Sequence, residues 1–388
     1  MTTERLGKSP VAIVNKGSVG IVETKFFTFS EPSGEFVLEN GSKLGPIKIA
    51  YETYGRLNKN RDNVILIEHA LTASAHVAGR HSPGDNYPGW WDSMVGAGRA
   101  FDSDKYYIIC SNVLGSCYGT TGPSSLSPKT NKPYGYKFPV ITIRDMICVQ
   151  KRLVDHLDIN SILSVAGGSM GGMQAIEWAL LWPEFVKSII LIASGAWSNP
   201  QSIAIHKVGI QAIKDDPNFS GGDYYGKQTP DKGLAIARMI GHITYLNDKM
   251  LWEKFGRRSD DINDMKSSFK YRFEVEKYLQ HQGQKFISRF DANSYIYIMR
   301  AIDLYDASEG YNNLEKSFNR LKIIKALVIS FSSDWLFPSY QSKELVSALK
   351  ANNINTSYNE IKSQYGHDSF LLKYKQLTPL VRRHLNKL

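Results

Sequence analysis

The sequence predicts an α/β protein, a mainly parallel sheet with helices on both faces and an α-helical segment inserted late in the chain. Three observations carry this reading. Short apolar runs suited to strands buried on both faces recur at 63–68, 106–110, 162–166, 186–193 and 326–331. Helical spacing separates the later runs, the rhythm of strand, helix, strand that builds a parallel sheet. From about 195 to 310 that rhythm stops, and amphipathic helices follow one another without a buried strand. The 388 residues therefore divide into a first part of the core (1–194), a helical lid insertion (195–310) and a second part of the core (311–388).

Taken in order, residues 1–25 carry no strong pattern and are expected to form a partly ordered arm. Strands are expected at 35–38 and 47–54, paired around the Asn40-Gly41 turn signal. The run at 63–68 ends in His69-Ala70-Leu71-Thr72, and the run at 106–110 follows. Two loops rich in glycine and proline, 82–98 and 114–139, are long enough to be functional. The spacing of Ile143, Met146, Ile147, Leu153, Val154 and Leu157 predicts a helix over 142–157, capped by Thr142. After the strand at 162–166, Met173, Ile176, Ala179 and Leu180 mark a helix running to Trp182 and stopped by Pro183. Inserted helices are expected at 202–214, 232–245, 264–282 and 291–305. The core then resumes with the strand at 326–331, a helix at 339–350, a strand near 356–360 and a closing helix from about 375.

Composition narrows the function. A chain with 42% hydrophobic and 22% charged residues reads as an ordinary globular protein. No apolar run approaches the roughly 20 residues that span a bilayer, and the start, Met1-Thr2-Thr3-Glu4-Arg5-Leu6, has no apolar core of a secretory signal. No membrane association is therefore expected. Cys110, Cys117 and Cys148 form neither a disulfide framework nor a metal-ligand spacing, which points to a reducing cytoplasm and no metal. The net charge of +10 comes from scattered residues; Arg257-Arg258 and Arg382-Arg383-His384 are the densest groups, too small for a nucleic-acid footprint.

The chemistry centres on residue 169. Gly167-x-Ser169-x-Gly171, placed between a strand and a helix, is the nucleophile-elbow pattern, a sharp turn that presents a serine hydroxyl above the sheet. A serine needs a base to take its proton, and the base needs a third group to orient it. On α/β-hydrolase folds the order along the chain is Ser, then Asp or Glu, then His. Asp334 follows the strand at 326–331 and His367 follows the strand near 356–360, so Ser169, Asp334 and His367 are the expected triad. The oxyanion formed on acyl attack needs two aimed donors. The Met170 N–H, directly after the nucleophile, is one, and the Leu71 N–H, in the loop after an earlier strand, is the other. Cys117 reads as a packing residue rather than a rival nucleophile.

These residues resemble a family. Ala166-Gly167-Gly168-Ser169-Met170-Gly171-Gly172-Met173-Gln174 is similar to the elbow of the homoserine O-acyltransferases, and the likeness runs from about Ile47 to the C-terminus. It includes Tyr51-Glu52-Thr53-Tyr54-Gly55, Asn112-Val113-Leu114-Gly115-Ser116-Cys117, Arg289-Phe290-Asp291-Ala292-Asn293-Ser294-Tyr295 and Tyr365-Gly366-His367-Asp368. The resemblance implies acetyl transfer from acetyl-CoA to the hydroxyl of L-homoserine, a step of methionine biosynthesis, by a ping-pong route through an acyl-serine. It also implies a cytoplasmic homodimer with no tightly bound cofactor and a site under the helical lid. Arg238 matches the family's arginine for the amino-acid carboxylate and Asp368 its partner for the ammonium, with Tyr245 supporting the pocket; a guanidinium suits a carboxylate because it donates two parallel hydrogen bonds. One departure is Ala73, where the family commonly has glycine. Acetyl against succinyl donor and homoserine against serine acceptor stay open at this level, as does a serine esterase on the same scaffold, because the triad chemistry is shared. An intact triad argues against a non-catalytic binding protein.

Overall fold

The computed structural model describes residues 17–30, 34–260, 266, 269 and 272–388. Its centre is an eight-stranded sheet. In chain order the strands are β1 (Lys25–Phe29), β4 (Ile47–Tyr54), β5 (Val64–Glu68), β6 (Tyr107–Ser111), β7 (Ile162–Gly168), β8 (Ser188–Ile192), β9 (Lys325–Phe331) and β10 (Asn355–Ile361). In space they run β1-β4-β6-β5-β7-β8-β9-β10. From β6 to β10 every pair is parallel, and β4 joins antiparallel to β6 on one side and to β1 on the other.

The inner strands β5, β8 and β9 are buried along their whole length, as mainly apolar runs demand when both faces are covered. Helices α1 (Ile143–His156) and α2 (Met170–Leu181) cover one face, and helix α11 (Tyr374–Leu385) lies on the other. Thr142 caps α1 with a reciprocal box: its hydroxyl accepts from the Asp145 N–H, while the Asp145 carboxylate accepts from the Thr142 N–H. Between β8 and β9 the chain passes through α3 (Pro200–Lys214), α4 (Asp231–Tyr245), α5 (Asp248–Phe255), α6 (Glu274–Ile287), α7 (Ala292–Leu304) and α8 (Leu314–Phe318). Helix α4 packs between α3 and α6. Helices α9 (Ser339–Ala351) and α10 (Ser369–Leu372) complete the second part of the chain.

Two expectations at the N-terminal side are corrected. Asn40-Gly41 does turn the chain, but it pairs a short β2 (Phe36–Val37) with β3 (Lys43–Leu44), not 35–38 with 47–54. Strand β4 pairs instead with β1, which the sequence reading left unassigned at the end of the arm. Lys25–Phe29 is mostly exposed edge strand, so it lacks the buried apolar run that marks the inner strands. Residues 1–16 lie outside the described residues. The helix expected over 264–282 is described only from Glu274 and continues to Ile287; 264–265, 267–268 and 270–271 of that expectation lie outside the described residues.

Candidate active site

The carboxyl ends of β5, β7, β9 and β10 face one cavity of about 280 Å³, capped by α3, α4 and α7. Ser169 lies directly after β7 at the first turn of α2, with φ +58° and ψ −127°, a conformation that L-residues rarely adopt. Two glycines permit it. A Cβ on Gly171 would sit 2.2 Å from the Glu68 carbonyl oxygen, and one on Gly167 would sit 2.3 Å from the Gly171 backbone. The helix can approach the sheet this closely only with hydrogen at both positions. Ser169 N–H donates to the Ile192 carbonyl at 3.0 Å, which ties the turn to β8.

Asp334 sits three residues past β9, behind His367 rather than on the cavity wall. Its Oδ2 lies 2.7 Å from His367 Nδ1, and its Oδ1 accepts from the Leu336 and Phe337 N–H groups at 3.0 and 2.9 Å. Both side chains are almost fully buried. Burial works to lower the His367 pKa, but the Asp334 carboxylate outweighs it and holds the imidazole above the ordinary histidine range. The pairing leaves Nε2 as the nitrogen free for proton transfer. His367 and Ser169 line the same cavity, and the Ser169 hydroxyl makes no hydrogen bond within the described residues.

Leu71 and Met170 line the cavity beside Ser169. Among the described residues neither backbone N–H has a partner, and the Met170 N–H also carries the positive end of the α2 dipole. The Leu71 turn is held from below. The Gln174 amide donates to the His69 carbonyl at 3.0 Å, and the Val113 N–H donates to His69 Nε2 at 3.1 Å. Nε2 must therefore be the unprotonated nitrogen, so Nδ1 carries the proton and donates to the Ala70 carbonyl at 2.8 Å. Burial pushes the His69 pKa down to about 4, which keeps it neutral and in this role. Underneath, Gln150 donates to Glu68 Oε2 (2.8 Å) and to Gln174 Oε1 (3.2 Å) and accepts from Trp178 Nε1 (2.8 Å). Burial pushes the Glu68 carboxyl up to about 8 against its hydrogen bond from Gln150, so it is a buried neutral acid at pH 7.

Across the cavity, α4 presents Arg238 and Tyr245. The Arg238 guanidinium lies over the Phe286 ring (4.7 Å) and the Tyr245 ring (5.5 Å) and donates a long hydrogen bond to Thr72 Oγ1 at 3.4 Å. Asp368 follows His367 and also faces the cavity. Burial raises its carboxyl to about 6 despite the opposing pull of His367 and Arg238. Among the described residues no ion pair joins Arg238 to Asp368, and both side chains line the cavity.

All eight expected site residues thus gather at one place, seven on the wall and Asp334 behind it. The reading along the chain missed other cavity residues. Arg289 donates to the Thr72 carbonyl (3.2 Å) and to Tyr118 Oη (3.0 Å) at the same rim. It belongs to a motif already singled out, but nothing in its neighbours in sequence says that it reaches β5's loop. His206, paired with Asp303 Oδ1 at 2.6 Å, and His242, bonded to Tyr278 Oη at 3.0 Å, also line the wall. Each lies on a helix whose apolar spacing gave no sign of a polar pocket. Cys117 lies outside the cavity wall, and burial pushes its thiol up to about 12, which leaves it a poor nucleophile.

Comparison with known proteins identifies the fold and the family. Residues 63–374 match the family model described as the alpha/beta hydrolase fold. A homoserine O-acetyltransferase from Deferribacter desulfuricans is 53% identical over 375 residues, 97% of this chain and 98% of that protein. A crystal structure of homoserine O-acetyltransferase from Bacillus anthracis superposes with a TM-score of 0.88 at 31% identity, covering 94% of this chain and 98% of that one. The crystal structure of esterase E22 superposes with a TM-score of 0.87 at 30% identity, covering 94% and 100%.

Proposed function

The chain belongs to the homoserine O-acetyltransferases of the α/β-hydrolase fold, and from that premise we propose how its cavity carries out the reaction. The enzyme is an acyltransferase that moves an acetyl group to homoserine. The donor is acetyl-CoA, and the route is ping-pong. His367 Nε2 takes the proton of Ser169 Oγ, which attacks the thioester carbonyl; the oxyanion is held by the Leu71 and Met170 N–H groups. The C–S bond breaks, His367 returns the proton to the leaving thiolate, and an acetyl-Ser169 ester remains. Homoserine then enters with its carboxylate on Arg238 and its ammonium on Asp368, with Tyr245 packed beside Arg238. His367 takes the proton of its hydroxyl, the oxygen attacks the ester, and Ser169 regains the proton as O-acetylhomoserine leaves.

The observation that supports this best is that Arg238 and Asp368, with no ion pair between them among the described residues, line the same cavity as Ser169 and His367. A hydrolase needs no opposed charges in its cavity; an acyltransferase with an amino-acid acceptor does. We read 195–310 as the lid that shields the acyl-enzyme from water, in a cytoplasmic homodimer whose product feeds methionine biosynthesis. No helix among the described residues is long and apolar enough to cross a membrane.

The test is thiol release from acetyl-CoA by the purified protein, with and without homoserine, repeated with serine and with succinyl-CoA. Release that depends on homoserine supports the proposal. Equal release in its absence would mean that water is the acceptor and that the esterase-like chemistry of its structural neighbour has prevailed.

A further inference from the structure

Outside the cavity, two histidines from the loop after the Leu71 turn converge on a buried carboxylate. Glu52 lies on β4, with its side chain 1% exposed. His76 Nδ1 is 3.0 Å from Oε2 and His81 Nε2 is 2.8 Å from Oε1. One ligand atom from each of the three residues lies within 4.8 Å of the other two. Tyr54 Oη donates to Oε2 at 2.7 Å and Thr24 Oγ1 to Oε1 at 2.9 Å, so the carboxylate is oriented by partners of its own. His81 is about half exposed, which opens one side of the cluster to solvent.

We propose that Glu52, His76 and His81 bind a divalent transition-metal ion of the zinc class. Two imidazoles and a carboxylate, with no thiolate, are the donor set that suits such an ion, with water at the remaining position. The two rings lie with centroids 3.9 Å apart and tilted by 37°, so both present a nitrogen to the same carboxylate. One metal ion replaces both shared protons and keeps the carboxylate paired.

The consequence is mechanical. The loop that leaves the Leu71 turn is pinned to the sheet by the Ala75 N–H on Asn112 Oδ1 (2.8 Å), and Trp90 of the cavity wall donates to the Ser74 carbonyl at 2.8 Å. A metal on Glu52, His76 and His81 would clamp the next residues of the same loop to β4.

The experiment is a titration of the full chain, freed of metal with a chelator, with Co²⁺ followed by Zn²⁺. The wild type is expected to take up one Co²⁺ per chain with the visible absorption of a histidine-ligated ion, and Zn²⁺ should displace it. His81→Ala, a half-exposed site that leaves the core intact, should abolish that absorption, and Thr24→Val should weaken affinity roughly tenfold by removing an outer partner. Zn²⁺ should raise the melting temperature of the wild type and not that of the His76→Ala/His81→Ala double variant. Uptake by the wild type no greater than that of the double variant would overturn the proposal and leave a hydrogen-bonded cluster without metal.

Discussion

Asp334 Oδ2 and His367 Nδ1 are 2.7 Å apart, and two backbone N–H groups on Asp334 Oδ1 prevent the carboxylate from turning away. The pair sets both the tautomer of the imidazole and its basicity. Asp334→Asn keeps the shape but removes the charge, so kcat for acetyl transfer should fall by roughly 10³–10⁴-fold. The base must be neutral to act, and Asp334 raises the His367 pKa. The acid limb of kcat/KM should therefore lie above the ordinary histidine range in the wild type and move to lower pH in the variant. A pH–rate profile of both proteins checks the sign.

Ser169 holds a strained backbone, φ +58°. Ser169→Gly removes the nucleophile and also the strain, so transfer should be lost while stability rises by about 1 kcal/mol, the strain relieved less the entropy cost of glycine. Ser169→Ala should be equally inactive without that gain. Thermal unfolding of both variants separates the two effects. A less stable Ser169→Gly protein would show that the turn is not strained.

Gly171→Ala tests the close approach of α2 to β5. Its Cβ would meet the Glu68 carbonyl oxygen at 2.2 Å, a backbone atom that cannot swing aside. The expected cost is about 3 kcal/mol or more, read as a fall in the denaturation midpoint. Turnover should fall with it, because the Met170 N–H moves with the helix.

Arg238→Ala should weaken use of homoserine by roughly 10–100-fold, the worth of a charged hydrogen-bond pair. The first half-reaction, a stoichiometric burst of thiol from acetyl-CoA, should be nearly unchanged. Equal loss in both half-reactions would contradict the role given to Arg238. Asp368 adds a pH signature to the same pocket. Burial raises its pKa to about 6, and it must be ionised to take an ammonium, so KM for homoserine should rise as pH falls through about 6. Asp368→Asn should abolish that pH dependence.

Glu68 predicts a slope in stability. Burial raises its folded pKa to about 8, well above an ordinary glutamate. A raised folded pKa means that the contribution is fully present below the unfolded value and is lost as pH climbs through about 8. The wild type should therefore lose stability from about pH 4.5 to 8, by a few kcal/mol at most. Glu68→Gln should flatten that decline in denaturant titrations at several pH values.

The sequence by itself determined the inner sheet, the elbow and where Ser169, Asp334 and His367 stand along the chain. Each rests on a local signal: a mainly apolar run at β5, β8 and β9, glycines at 167 and 171 around Ser169, an Asp and a His just past strand ends. Local signals fail where burial is partial. The edge strand β1 is exposed and went unseen, and the Asn40-Gly41 turn was legible while the partner it selects was not, because pairing depends on what the rest of the sheet leaves open. The tertiary structure alone decided that Arg238 on α4 and Asp368 beyond β10 line one cavity, that Arg289 reaches Thr72, and that His76 and His81 meet Glu52. These are distances between residues far apart in the chain, and they follow from how helices and loops pack over the sheet. Whether burial or a neighbouring charge wins at Glu68, His367 and Asp368 was decided there too, since each pKa is set by the packing around it.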